Sequence, residues 1–257
     1  MNIIVTLIKK ELLETLRKYR LLVMITMFVL IGVMSPVGTK YLGEILKQLL
    51  PSGYILKVRE ASEIEAYFQF FKNISQIGLI VLIFITAGLM ADELEKKTIV
   101  NILSKGVRRE YIVISKFVSS LAVWLISYVV SFMIFEYYTS LFWGNEISLF
   151  NILYSNLIIF IYGVLIIALN IFLGTMFKNK ILTIVSCFIL NLIQMFVAFF
   201  PQMSKMLPIS LLSQCVYIIE GKIHIYDTVI TLVLTLILIL FLLIISINLF
   251  KRKEIEQ

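Results

Sequence analysis

Six runs of uncharged, mostly apolar residues divide the chain: Leu21 to Thr39, Asn73 to Ala91, Phe117 to Phe135, Ile147 to Phe177, Ile181 to Ser204 and Thr228 to Phe250. A helix rises about 1.5 Å per residue, so about 20 residues cross roughly 30 Å of hydrocarbon, and each run can supply one span. The fourth run exceeds what one upright helix needs, and its span is placed inside it. Spans are therefore expected at about 21–39, 73–91, 113–135, 152–176, 181–201 and 228–250. The fold class predicted is an all-α integral membrane protein, a single membrane domain over residues 1–257 with six transmembrane helices.

Before the first run, Val5, Ile8, Leu12 and Leu16 recur at helical spacing, while Lys9, Lys10, Glu14, Arg17 and Lys18 fill much of the remaining surface. One reading of 1–20 is an amphipathic interfacial helix flat on the inner leaflet, its cations at headgroup level beside anionic lipids. The other is a positively flanked start to the first span. Glu11 and Glu14 interrupt the positive region and no small-residue cleavage site follows, so this segment is not expected to be a cleaved signal.

Composition agrees with a bilayer environment: 60% of residues are hydrophobic and only 15% charged, more apolar surface than a water-soluble domain of this size hides. A net charge of +7 is also the footprint of nucleic-acid binding, but threading six spans from a cytoplasmic N-terminus places most Lys and Arg on the cytoplasmic side. Both termini are then cytoplasmic and no nucleic-acid partner is expected. Cys187 and Cys215 fall at different depths, which disfavours a disulfide.

The longest charged stretch on that side is the loop from Asp92 to Lys116. Thr98 is suited to cap a short helix, Ile99, Ile102 and Leu103 form its apolar face, Gly106 ends it, and Arg108 and Arg109 precede the third span. Such a helix fits a groove on a soluble partner, or it is only a solvated connector obeying the inside bias of positive charge.

Glu93 and Glu95 after the second span, Thr98 opening a short helix, Leu103 near its end, Arg109 after it and Lys116 entering the third span resemble the type-2 ABC exporter permease family. The order of parts is also similar, from an elbow helix through a sizeable first outer loop to a Pro-containing last outer loop, so the resemblance covers nearly the whole chain. Members commonly have Gly before the Thr and Pro before the basic stretch, where this chain has Lys97 and Gly106.

The resemblance implies a coupling helix, carried here by Glu93, Glu95, Thr98, Ile99, Ile102, Leu103, Arg108 and Arg109, that sits on a separate cytoplasmic ABC ATPase. It implies two ATPase copies and a second permease chain, identical or related. No G-x-x-x-x-G-K-[ST] phosphate loop occurs, so ATP and Mg²⁺ are expected on the partner, and no cofactor or metal on this chain.

On the fifth run Thr183, Cys187, Asn191, Gln194 and Ala198 follow steps of three and four and share one helix side. Such residues either hydrogen-bond to neighbouring helices or line a translocation path; the family pattern, with second and fifth spans at a dimer axis, supports the path or dimer face. Glu136 lies near the outer interface beside Tyr137 and Tyr138, an anchor position. His224 is the only histidine and has no second ligand near it. In the last outer loop, 202–227, the apolar stretch Ile209 to Val216 forms either helices dipping into the outer leaflet or an ordinary loop.

No Asp, Glu or His occurs inside the six runs, which argues against an intramembrane enzyme and against a secondary transporter using buried acids. The expected function is the permease subunit of an ATP-driven exporter in the cell membrane, not itself an enzyme. The alternative is a non-transporting assembly or immunity protein of the membrane.

Overall fold

A computed structural model describes residues 3–49, 61–144, 147–200 and 206–252, with the side chains of 43–49 left aside. Every regular element among the described residues is helical. In chain order these are α1 (Ile3–Arg17), α2 (Arg20–Leu49), α3 (Glu63–Asn73), a π-helical turn (Ile74–Gly78), α4 (Leu79–Thr86), α5 (Gly88–Glu95), α6 (Val100–Leu103), α7 (Arg109–Trp143), α8 (Leu149–Phe177), α9 (Lys180–Val197), α10 (Leu211–Ile219) and α11 (Tyr226–Arg252). Six stretches are long and apolar enough to cross a membrane: Arg20–Leu42, Glu63–Glu95, Arg109–Trp143, Leu149–Phe177, Lys180–Val197 and Tyr226–Arg252.

Several helices run beyond their charge-free runs. The second span begins at Glu63, ten residues before the run, because Ser62 caps it: its hydroxyl accepts from the Glu65 amide while the Glu65 carboxylate accepts from the Ser62 amide. The connection between the first two spans shrinks accordingly, since α2 continues to Leu49 and α3 begins at Glu63. Within the second span the π-helical turn closes with the Leu79 amide on the Ile74 carbonyl, a one-residue widening of the ladder.

The spans are not equivalent. Within the most apolar window of each, the fourth is 78% buried in the chain and the fifth only 11%, so α8 is the central post and α9 lies at the edge. Close approach depends on small residues: a Cβ on Gly32 of α2 would stand 2.6 Å from the Ser131 carbonyl of α7, and one on Gly163 of α8 would stand 2.4 Å from the Trp124 ring. The last span presents Thr228, Thr231, Thr235 and Ser246, all fully buried, and two of them meet α8 through Tyr154–Thr228 (2.8 Å) and Thr175–Ser246 (3.1 Å) contacts.

In the last interhelical connection a 3-10 turn (Pro208–Ser210) leads into α10, whose Leu211, Cys215 and Ile218 pack inward. Residues 201–205, including Pro201, lie outside the described residues. Cys187 and Cys215 are both free thiols. Glu136 is held by the Tyr67 hydroxyl at 2.5 Å, which ties the third span to α3.

Candidate coupling loop and its ionic anchor

α1, the loop between α5 and α7, the α8–α9 turn and the end of α11 gather at one end of the helix bundle, tied to one another by side-chain contacts. The loop starts where α5 stops. Lys96 closes the helix, and Lys97 takes a left-handed conformation with φ 54°, so the chain turns away. The Lys97 amide reaches the Leu94 carbonyl at 3.3 Å, and the Glu93 carbonyl takes both the Ile99 amide and the Thr98 hydroxyl at 3.5 Å.

Thr98 is therefore not the N-cap that the spacing suggested. α6 begins after Ile99 with no side-chain cap, because the Thr98 hydroxyl is drawn back to a carbonyl freed at the end of the preceding helix. Lys97 stands where the resemblance implies Gly, and its φ of 54° is a backbone conformation that glycine adopts without strain. Gly106 ends the short helix as expected, with φ 75° and its amide 2.9 Å from the Leu103 carbonyl.

Beneath the loop lies a compact set of charges. Lys116 of α7, 1% exposed, places Nζ 2.9 Å from Glu93 and 3.1 Å from Glu11. Lys10 of α1 reaches Glu93 and Glu11 at 2.9 Å each and Glu14 at 3.2 Å, and Lys18 reaches Glu14 at 2.5 Å. Three cations thus face three carboxylates. Arg20 adds a 3.3 Å pair with Asp92.

Burial by itself lowers the pKa of the Lys10 ammonium, but the charges of Glu93 and Glu11 outweigh it and hold the group well above the usual lysine range. For Glu14, burial pushes the carboxyl up, yet hydrogen bonds and charge from Lys18 and Lys10 win and bring it down to about 2. Glu11, Glu14 and Glu93 lie close enough together to suggest a metal site, but lysine ammonium groups already occupy the space that a cation would need.

A second tie joins the loop to the end of the chain. Arg109 donates from Nη1 to the carbonyls of Phe250 (2.6 Å) and Lys251 (3.0 Å), near the end of the described part of α11. A guanidinium near the C-terminal part of a helix also meets the negative side of the helix dipole. Glu110 pairs with Lys251 at 2.5 Å.

The eight residues assigned to the loop thus divide. Glu93 and Ile99 are buried and Arg109 is committed to α11, so these three hold the loop in place. Ile102 and Leu103 are half-buried against the core, which turns the short apolar face of α6 inward. Thr98, Arg108 and Glu95 stay exposed, and Glu95 accepts a 3.3 Å bond from Asn179 in the α8–α9 turn. The exposed crest is rich in cations: Lys96, Lys97, Lys105 and Arg108.

In the sequence Lys10 and Glu11 stand only as charges of the 1–20 segment, and nothing singles out Asn179. Glu11 and Thr15 sit one helical turn apart and form the buried side of α1, a polar pair that was legible but had no visible partner.

On α9, Thr183 and Cys187 are fully buried, and Asn191 donates to the Cys187 carbonyl and accepts 2.6 Å from the Tyr162 hydroxyl of α8. Gln194 and Ala198 are half-buried, and Gln194 Oε1 has no hydrogen-bond partner among the described residues. The polar stripe therefore faces α8 of its own chain. The opposite side of α9, with Ile181, Leu182, Ile189, Leu192 and Phe196, is exposed.

Six apolar helices of spanning length make this a multi-pass membrane protein. The chain belongs to the ABC-2 transporter permease family: the model of that family, described as an ABC-2 family transporter protein, matches residues 5–255. The family is the transmembrane component of ABC transporters and generally not catalytic, and membership implies association with an ABC ATPase and with the bilayer. No curated protein matches the chain.

Proposed function

We propose that this chain is the membrane subunit of an ATP-driven exporter of the cell membrane, acting as a pair of permease chains on two cytoplasmic ATPase subunits that hold the ATP and Mg²⁺. The observation that carries this reading is the anchored cationic crest. A loop with exposed Lys96, Lys97, Lys105 and Arg108 is fastened to α1 and α7 by the buried charges and to α11 by Arg109. A push on such a loop reaches three membrane-linked elements at once, which suits a lever better than a connector.

The same crest supports a cytoplasmic position for this end and hence for both termini, since positive charge gathers on that side. α1, leaving the first span within two residues, then lies along the inner surface of the membrane. Exposed apolar faces on α9 and α4, including Phe84 and Phe196, suit a second permease chain, with the stripe from Thr183 to Ala198 behind that face and Gln194 nearest the path.

The test is affinity purification from native membranes in mild detergent, with identification of the companions and an assay of ATP hydrolysis. A co-purifying ATPase whose stimulation is lost on charge reversal at Lys105 and Arg108, with membrane insertion intact, supports the proposal. Unchanged stimulation reduces the loop to a connector. Gln194→Ala should alter cargo transport more than assembly, whereas loss of dimer alone assigns that face to packing.

A further inference from the structure

On α1 the residues Val5, Lys9, Leu13 and Arg17 follow one another at four-residue steps, which stacks them in a single row. All four are exposed, as is Leu16 beside them. Apolar and cationic side chains alternate along this row. Neither Lys9 nor Arg17 pairs with a carboxylate among the described residues, because the acids of α1 are engaged elsewhere: Glu11 with Lys116 and Lys10, Glu14 with Lys10 and Lys18.

We infer that this outward row of α1 is a recognition surface for anionic phospholipid headgroups of the inner leaflet. The inference rests on the proposed position of α1 at the membrane surface. Three observations favour a lipid surface as the occupant. The helix joins the first span through Lys18 and Tyr19 alone, with Tyr19 at φ 56° making the bend, so the row cannot move far from the bilayer boundary. Val5, Leu13 and Leu16 are between 43% and 54% exposed, and an acyl boundary removes that area from water. Lys9 and Arg17 carry charge that no carboxylate among the described residues neutralises, and long cationic side chains at such a boundary lay their alkyl stems on apolar surface and extend their heads to phosphate.

A zwitterionic headgroup brings its own ammonium and gains little from two further cations. A phosphatidylglycerol-type headgroup brings net negative charge, and each Lys or Arg held at such a surface favours it about fivefold. The row has no acid to cancel the preference.

The experiment uses the full chain carrying Tyr19→Trp, reconstituted in vesicles of mixed phosphatidylcholine and phosphatidylglycerol with one or the other lipid brominated. Quenching of the added indole is read after subtracting that of the Tyr19 parent. Brominated phosphatidylglycerol should quench several-fold more effectively than brominated phosphatidylcholine, and Lys9→Ala with Arg17→Ala should remove the difference. Equal quenching by both lipids in the chain with Lys9 and Arg17 intact overturns the headgroup preference and leaves α1 at the membrane surface. Quenching by neither overturns both that placement and the inference.

Discussion

The Nζ of Lys116 sits 2.9 Å from a carboxylate oxygen of Glu93, and the lysine side chain is 1% exposed. The third span therefore begins by gripping the end of the second from inside the bundle. A buried ion pair offsets its own desolvation rather than adding much stability, and its value lies in fixing which elements meet. Here it brings α1, α5 and α7 to one point, since Glu11 and Lys10 share the same contacts.

Replacing Lys116 by Met should leave Glu11 and Glu93 buried with Lys10 as their remaining cation and destabilise the fold by about 3 kcal/mol. Thermal unfolding in detergent measures this. Adding Glu11→Gln should recover part of the loss, because the uncompensated carboxylate is then gone; strictly additive losses would show that the two side chains do not interact.

Lys97 holds φ 54° where its Cβ crowds the following carbonyl, a conformation that costs a non-glycine residue about 1 kcal/mol or more. Lys97→Gly should raise stability by up to about 1 kcal/mol, reduced by the greater freedom of glycine in the unfolded chain. Lys97→Val should lower it. Thermal melts of the two variants check the order, and identical melts would mean that the turn relaxes freely.

The Gly163→Ala variant meets the Trp124 ring at 2.4 Å. Trp124 is fully buried and its indole N–H donates to the Phe160 carbonyl at 3.1 Å, so the ring has little room to retreat. A loss of about 1–3 kcal/mol is expected from overpacking, with a shift in tryptophan emission as the indole is displaced. Unaltered emission and stability would place the α7–α8 contact further apart than described.

Glu14 carries a pKa of about 2 in the folded chain against an ordinary value of 4.5. The unfolded chain therefore binds more protons between these values. The stabilisation from Glu14 is fully present above about pH 4.5 and is lost as pH falls toward 2. Melting temperatures of the wild-type chain should exceed those of Glu14→Gln near neutrality and converge with them at about pH 2. A gap that stays constant across this window would exclude titration of Glu14 as its source.

Much of the architecture was legible in the sequence because a span is a local property. Twenty uncharged apolar residues cross a bilayer whatever their neighbours do, so the six runs, the loop from Asp92 to Lys116 and the turn at Gly106 could be read in order. The family could be read from the same linear order of parts.

Facing was not legible. In a bilayer both the lipid-exposed and the core-facing sides of a helix are apolar, so periodicity does not say which side is in. Ile99, read as part of an apolar docking face, is buried; Asn191, open between a helix contact and a path, accepts from Tyr162 of its own chain. Arg109 finds its carbonyls on Phe250 and Lys251, and Lys116 finds Glu11, at chain separations above one hundred residues.

By itself, then, the sequence determined the number of spans, the position of the charged loop and the family. Which charges meet, which face of α9 looks inward and which cations of α1 have no carboxylate partner among the described residues were decided by the tertiary structure. Hydrophobic transfer is summed along the chain, whereas ion pairs and helix contacts depend on which distant segments the bundle brings together.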